Sequence, residues 1–128
     1  MNIVIAFHDN DIYSGATRSM FSLAESWHAK GNSIIALIPK NGQLKKAIEE
    51  KGISVIEIPH FKTRVNLSRG YIYQTITIFR GAISQLLLKI YSFLILSPMI
   101  RRAKTDILYS NTTATMVGYV LKKQTKIP

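Results

Sequence analysis

Three short apolar runs follow one another in the first half of the chain, each separated from the next by a segment with helical spacing. The runs are 1–7, 32–39 and 53–59; the last two follow Lys-Gly pairs and end in proline. Strands that alternate with helices predict a parallel sheet with right-handed crossovers. Because the runs are rich in Val, Ile and Leu, both faces of the sheet are expected to be covered. The sequence therefore predicts an α/β fold with a Rossmann-like, doubly wound parallel sheet.

The segments between these runs have apolar residues at helical spacing. The first helix begins near Ala16, and its apolar positions share one face: Met20, Leu23, Ala24 and Trp27. A second, shorter helix has a buried side made of Leu44, Ala47 and Ile48. Each helix is long enough to connect two parallel strands, as the doubly wound pattern requires.

The second half of the chain contains a long helical stretch. A polar, basic connection at 60–70 leads to it, and it runs from Tyr71 to about Lys104. Proline cannot donate a helical hydrogen bond, so we expect two segments with a break near Ser97-Pro98. Residues 82–100 are apolar, but a lysine and a proline among them make a membrane span costly. We expect a packed helix with an exposed basic and apolar flank, although a wholly buried apolar side with solvated basic residues fits the pattern too.

The chain ends with one more strand and helix. Residues 106–112 predict a fourth strand that ends in polar capping residues. A helix over 113–123 follows, with Met116, Val117, Val120 and Leu121 on its inner side. Residues 126–128 have the pattern of the beginning of a fifth strand. We therefore expect a single domain over 1–128, with 60–105 as a basic, partly amphipathic helical insertion.

Charge is distributed unevenly along the chain. The 128 residues have a formal net charge of +10, yet no Asp or Glu occurs between Ile58 and Thr105. The basic residues of this stretch are Lys62, Arg64, Arg69, Arg80, Lys89, Arg101, Arg102 and Lys104. Such a segment predicts an anionic partner: a membrane surface, a phosphorylated substrate or a nucleic acid. We expect all of these residues except Lys62 to contact a membrane or another anion.

The remaining composition excludes some kinds of site. The chain has no cysteine, so disulfides and thiolate metal sites are ruled out. Its three histidines lie far apart without metal-ligand spacing, and we expect neither a metal nor a cofactor. The first residues lack the pattern of a signal peptide. We expect a cytoplasmic protein, peripheral on the inner face of the cytoplasmic membrane if the basic segment contacts lipid.

The turn at Ser14-Gly15-Ala16 lies between the first strand and the first helix. A glycine there lets the backbone approach a ligand, and the first helical N–H groups suit an anion such as a phosphate. A tight-turn glycine with an ordinary Ser14 or Thr17 cap explains the same residues equally well. The dinucleotide fingerprint G-x-G-x-x-G is absent, and Pro39-Lys40 stands where an acidic residue would follow the second strand.

The order of these elements resembles a known family. It comprises an opening strand, a Gly-Ala-x-Arg-Ser turn into a helix, a Gly-Asn-x-Ile strand, a Gly-x-Leu helix, a Gly-Ile-x-Val strand and later Asp-Ile-Leu-Tyr-Ser-Asn-Thr. This order of motifs is similar to that of the N-terminal, acceptor-side domain of family 4 glycosyltransferases, which have the GT-B fold. The family often has Gly-Gly at the first turn, whereas this chain has Ser14 before Gly15. The resemblance implies that the chain is one half of a GT-B architecture, incomplete at its C-terminus.

The resemblance also implies roles for particular residues. Ser14, Gly15 and Ala16 would approach the donor diphosphate or the acceptor. Asn111 and Thr112, after the fourth strand, would line the same cleft edge, because ligands of open α/β sheets lie outside the carboxyl ends of the strands. The acceptor-side candidates are His8, Asp9, Asp11 and Arg18. We predict no catalytic residue in this chain.

The expected function is that of half an enzyme. By resemblance, the complete protein would be a retaining glycosyltransferase of the hexosyltransferase type. It would move a sugar from a nucleotide-sugar donor to a lipid-linked or polysaccharide acceptor at the inner membrane face. The donor-binding domain with its Glu-x7-Glu element is absent from these residues and would be supplied in cis or in trans, so we expect no activity from this chain alone. A basic nucleic-acid-binding domain and a small Rossmann-like nucleotide-binding domain are the alternatives, although no nucleic-acid-binding motif occurs.

Overall fold

Four parallel strands form the centre of the computed structural model, in the spatial order β3-β2-β1-β4. The structure describes residues 1–40, 42–59, 71–110 and 116–128, and for 71–75 and 77 it describes the backbone alone. The strands are β1 (Asn2–Ala6), β2 (Ser33–Pro39), β3 (Ser54–Ile58) and β4 (Ile107–Tyr109). The helices are α1 (Gly15–Ala29), α2 (Leu44–Glu49), α3 (Tyr71–Tyr91), α4 (Ser97–Arg102) and α5 (Val117–Thr125), with a π-helical turn (Ser92–Leu96) between α3 and α4.

Strand β1 lies between two neighbours in a parallel register. Ile3 pairs with Ile34 of β2 on one side and with Ile107 of β4 on the other. At the far edge of β4, the Leu108 N–H donates to the carbonyl of Pro128 over 2.9 Å. Pro128 therefore lies where the next parallel strand of such a sheet would begin.

Helices cover both faces of the sheet. Alternate residues of β1 point to opposite faces, so this strand contributes to a core on each side. Ile3, Ile5 and Phe7 belong to a first core beneath α1 and α2. Val4 and Ala6 belong to a second core beneath the long helix and α5. The doubly wound α/β fold predicted from the sequence is confirmed.

Helix α1 buries the side that its spacing predicts. Met20 and Ala24 are buried, while Leu23 and Trp27 are half-buried at its margins. The Trp27 ring meets the Tyr109 ring edge to face, with centroids 5.5 Å apart at 85°. This aromatic pair, together with sheet pairing, ties α1 to β4, so the first helix and the last strand belong to one core.

The predicted break at Ser97-Pro98 is wrong. The backbone stays helical from α3 through the π-helical turn into α4, and the irregularity lies at 92–96, just before the proline. A proline ring clashes with the carbonyl four residues earlier, and a wider turn at that point accommodates the ring without ending the helix. Leu96 and Ile100, on either side of the proline, are both buried in the second core.

The last two elements have other bounds than predicted. Strand β4 ends at Tyr109, and helix α5 runs from Val117 to Thr125, two residues beyond its predicted end. Met116, before the helix, has a left-handed backbone with a φ of 51°, and 111–115 lie outside the described residues. The predicted inner side of α5 is correct, since Val117, Val120 and Leu121 are buried in the second core and Met116 packs against it.

Candidate functional site

The carboxyl ends of the four strands meet at one edge of the sheet, and the loops that follow them form the candidate site. Parallel strands end on the same side, so these loops are neighbours although they are distant in sequence. Of these four loops, the β1–α1 loop, 7–14, is the one whose residues are all described. It therefore contributes most of the side chains that the structure describes at this edge.

Asn10 joins the β1–α1 loop to the loop after β2. Its Nδ2 donates to the carbonyl of Pro39, and its Oδ1 accepts from the backbone N–H of Leu44 at the start of α2 (3.2 Å). Gly42 lies against this side chain: a Cβ at Gly42 would be 2.6 Å from the Asn10 Nδ2. Asn10 thus fixes the spacing of two loops at the edge of the sheet.

Sequence reasoning missed Asn10. The residue belongs to no periodic pattern, and its partners are 29 and 34 positions away. The available signal was an amide side chain in the loop after one strand, followed later by a glycine in the loop after the neighbouring strand. Loops after adjacent parallel strands meet, so an amide in one can bond the backbone of the other.

The N-terminus of α1 is open to solvent. Ser14 occupies the N-cap position, but its hydroxyl makes no capping bond to any described residue; its carbonyl accepts from the Arg18 N–H (2.9 Å). Gly15 does not have a left-handed backbone, and no described atom lies within 4 Å of where its Cβ would be. Neither the backbone nor the surroundings of Gly15 therefore require a glycine at this position. The first backbone N–H groups of α1 have no partner within the helix, those of Gly15 and Ala16 have none among the described residues, and both residues are exposed.

Two buried polar atoms near this helix end have no hydrogen-bond partner among the described residues. One is the Oγ1 of Thr17, which lies in the first turn of α1, and the other is the Nδ1 of His8, just after β1. Both atoms are shielded from solvent, so neither is open to a ligand in this structure.

The two aspartates of the loop are engaged in turns. The Oδ1 of Asp9 accepts from the N–H groups of Asn10 (2.7 Å) and Asp11 (3.1 Å), and the Oδ1 of Asp11 accepts from the N–H of Tyr13 (2.9 Å). Such local bonds give the loop its shape. Each aspartate keeps its second carboxylate oxygen, and Asp11 is exposed.

A shallow, open depression of about 350 Å³ lies beside these turns. Its lining combines carboxylates, amides and one aromatic ring: Asp9, Asn10, Asp11, Ile12, Tyr13, Gly42 and Gln43. Hydroxyl groups of a carbohydrate could bond the carboxylates and amides, and the exposed Tyr13 ring could cover an apolar sugar face. The depression therefore presents carboxylates, amides and one aromatic ring to solvent.

The structure separates the predicted site residues into two places. His8, Asp9, Asp11, Ser14, Gly15 and Ala16 share the β1–α1 connection, and exposed Arg18 lies one turn further along α1. Arg80, Lys89, Arg101, Arg102 and Lys104 are exposed along or just after the long helix on the opposite face. Asn111, Thr112, Arg64 and Arg69 lie outside the described residues.

Two solved structures share this fold. A glycosyltransferase from Rickettsia africae matches 98% of this chain with a TM-score of 0.63 and 16% sequence identity. MurG from Acinetobacter baumannii matches 99% of it with a TM-score of 0.59 and 12% identity. No family model matches the chain, and no curated protein matches it in sequence.

The chain spans 27% of the length of the Rickettsia protein and 33% of the length of MurG. The chain therefore has a GT-B glycosyltransferase-like fold over the length of one Rossmann-like domain. At sequence identities of 12% and 16%, the similarity to these structures shows the fold alone.

Proposed function

We propose that this chain is the N-terminal, acceptor-side half of a retaining glycosyltransferase of family 4 type. The fold shared with two glycosyltransferase-like structures supports this proposal. The observation that carries it is the exposed N-terminus of α1 around Gly15, at the sheet edge where ligands of such folds bind. The motif order from Ser14 to Thr112 is the further support for family 4.

The reaction asks this half mainly for positioning. When a sugar leaves a nucleoside diphosphate, negative charge develops on the departing phosphate oxygens. The backbone N–H groups of Gly15 and Ala16, with the positive end of the α1 dipole behind them, stabilise such charge at contact distance.

The acceptor side uses the depression beside the loop. Asp9 and Asp11 accept hydrogen bonds from acceptor hydroxyls with the oxygens that the turns leave free. Arg18, one turn into α1, attracts an anionic part of the acceptor, such as the phosphate of a lipid-linked sugar. We propose a lipid-linked or polysaccharide acceptor at the inner membrane face.

Transfer needs a second half that holds the donor. The chain covers about a third or less of the length of each structural neighbour, and the proposed donor-binding domain is not among its residues. We expect this chain alone to bind weakly and to transfer no sugar. Binding, rather than turnover, is therefore the property to measure.

The test is a titration followed by amide chemical shifts in ¹⁵N-labelled chain. The probes are UDP-glucose, GDP-mannose and, as a comparison, NAD. We expect nucleotide sugars to shift the amides of Gly15 and Ala16 and to leave those of α5 unchanged. Gly15→Val should abolish these shifts because a branched side chain fills the open space, whereas the matched variant Ser22→Val, exposed on the same helix, should retain them.

The outcomes separate the candidates. No shift with any nucleotide sugar overturns the proposal. Equal or stronger shifts with NAD at the same amides indicate the small nucleotide-binding domain instead. Shifts caused by a short DNA duplex, spread over the basic helix and lost steeply as salt increases, indicate the nucleic-acid-binding alternative.

A further inference from the structure

The side of the long helix that points away from the sheet is an exposed apolar surface. Its central residues recur at alternating steps of three and four, and each is 44–68% exposed: Ile76, Phe79, Ile83, Leu86, Ile90 and Phe93. We call this set the outer apolar face. Soluble proteins rarely leave so long an apolar surface uncovered, so the surface is expected to contact something.

Basic residues border the outer apolar face on both sides. At 100° per residue, Arg80 and Lys89 fall on opposite margins of the face, and both are exposed. Arg101 and Arg102 follow at the end of α4. With no acidic residue between Ile58 and Thr105, this surface attracts anions along its whole length.

The apolar arc is too broad for a simple helix pair. Ile78, Leu87 and Leu94 are exposed at its borders and widen it to about half of the helix circumference. A two-stranded coiled coil needs a narrower seam and complementary charges beside it, and here the bordering charges have one sign. A half-embedded helix with bordering cations is the pattern of a surface-bound amphipathic helix.

The long helix is much longer than the strands of the sheet. From Tyr71 to Arg102 it spans 32 residues, about 48 Å, whereas a strand of five to seven residues spans about 17–23 Å. Just after the helix, the carbonyl of Lys104 accepts from the Nδ2 of Asn2 at the start of β1 (3.1 Å). Leu88 is the first described residue of α3 that packs in the second core. The part of α3 before Leu88 is about 25 Å long, and none of its described side chains is fully buried.

The same helix is attached along its second half. Leu96 and Ile100 pack in the second core, and Gln124 of α5 bonds both the Lys89 carbonyl (3.1 Å) and the Ser97 hydroxyl (2.9 Å). The stretch 78–102 is long and apolar enough to cross a membrane. A membrane-spanning position would break the core contacts of the helix and its hydrogen bonds to Gln124. The attachment favours a helix that lies along a membrane surface.

We propose that the outer apolar face rests in the interface of an anionic bilayer, parallel to the membrane plane. The part of α3 before Leu88 then contributes Ile76, Phe79, Ile83 and Leu86 to the membrane contact. This deepens the proposed function and rests on it in one respect, namely that the acceptor is presented by the membrane. The bilayer supplies apolar chains for the face and phosphates for Arg80 and Lys89.

The absence of cysteine allows single-site labelling of the chain. We would attach an environment-sensitive fluorophore to Phe79→Cys and Leu86→Cys on the outer face. Ser84→Cys on the inner side and Tyr119→Cys, equally exposed but on α5, are the controls. Vesicles would contain phosphatidylcholine alone or with roughly 30% phosphatidylglycerol, an anionic fraction that makes basic contacts measurable. Far-UV circular dichroism checks that each variant is folded.

We expect a blue shift at positions 79 and 86 with anionic vesicles, and none at 84 or 119. Replacing Arg80 or Lys89 by Gln should weaken vesicle binding about fivefold each. An equal shift at position 84 would mean that the helix inserts, and would overturn the parallel arrangement. Dimers in lipid-free solution that Phe79→Ser disrupts would assign the face to a second copy, and no shift at any position would also refute the proposal.

Failure here and failure of the proposed function are distinguishable. If the chain binds vesicles but gives no amide shifts with nucleotide sugars, the membrane proposal stands and the transferase proposal is refuted. If nucleotide sugars cause those shifts but the chain binds no vesicles, the proposed binding site stands and the membrane proposal is refuted.

Discussion

The two faces of the sheet are covered by helices of different character. On the first face, α1 and α2 include the glutamates Glu25 and Glu49, and Lys51 forms an ion pair with Glu25 (2.8 Å). On the second face, α3, α4 and α5 include no acidic residue, and large apolar side chains of the long helix are exposed. The first layer has a mixed, solvated outer surface, as in an ordinary soluble domain, and the second does not.

This difference separates folding from interaction within one domain. Both layers have a buried side that the sheet requires, and both cores are continuous. Burial of the apolar side chains on that inner side stabilises the fold. The apolar side chains on the outer side of the second layer pack against none of the described residues. An exposed apolar surface of this kind is typical of contact with another surface.

The largest expected effect comes from two leucines on the same helix. Leu88 is 0% exposed and Leu86 is 58% exposed. Leu88→Ala leaves a cavity in the second core and should lower the free energy of unfolding by about 2–5 kcal/mol. Leu86→Ala should change it by about 0.5 kcal/mol or less. Urea unfolding followed by circular dichroism measures both.

The pair also tests where the helix is attached. If both substitutions lower the free energy of unfolding equally, the outer apolar face is buried in the folded chain. The contrast between the two layers is then wrong. If Leu86→Ala instead weakens vesicle binding without changing the unfolding midpoint, the separation of fold from interaction is strengthened.

A smaller effect is expected where two loops meet at the sheet edge. Gly42→Ala places a Cβ against the Asn10 side chain, which must then give up its bonds to Pro39 and Leu44. We expect a loss of about 1–3 kcal/mol in the free energy of unfolding. Gly15→Ala, with open space around it, is the matched control and should leave stability equal or slightly higher. Thermal unfolding of both variants measures the difference, and an equal loss would mean that Asn10 does not join the loops.

The sequence predicts those features of the fold that depend on regular spacing. The strands β1 to β3 and the buried sides of α1 and α2 follow from apolar periodicity, and the doubly wound sheet follows from their alternation. The turn at Gly15 was found because it follows a strand and precedes a helix. The family resemblance added a function to test, whereas the fold had already been indicated by the pattern.

The features that were missed depend on contacts between distant residues. The bonds of Asn10 join positions that share no pattern, and only the pairing of β1 with β2 brings them together. Pro98 predicted an irregular helix, but whether the helix breaks or widens is decided by Leu96 and Ile100, which pack in the same core. Tertiary packing, rather than local preference, determined both outcomes.

A polar tie on the second face gives an effect of intermediate size. Gln124→Ala removes the bonds from α5 to the Lys89 carbonyl and the Ser97 hydroxyl, next to the π-helical turn. We expect the free energy of unfolding to fall by about 1 kcal/mol, and the exposed neighbour Lys123→Ala to have no measurable effect. Chemical denaturation compares them. A null result for Gln124→Ala would mean that apolar packing alone attaches the long helix.

The smallest effect is expected from the ion pair on the first face. The hydrogen bond from Lys51 to Glu25 raises the pKa of Lys51 above its usual 10.5. A cation with a raised pKa stabilises the fold below the unfolded value and loses that contribution as the pH rises through the folded value. Because the pair is on the surface, Lys51→Met should lower the melting temperature at pH 7 by no more than about 2 °C. This difference should vanish above the raised pKa. Melting curves of both proteins at neutral and strongly alkaline pH test this, and a difference that grows with pH would contradict the assigned pairing.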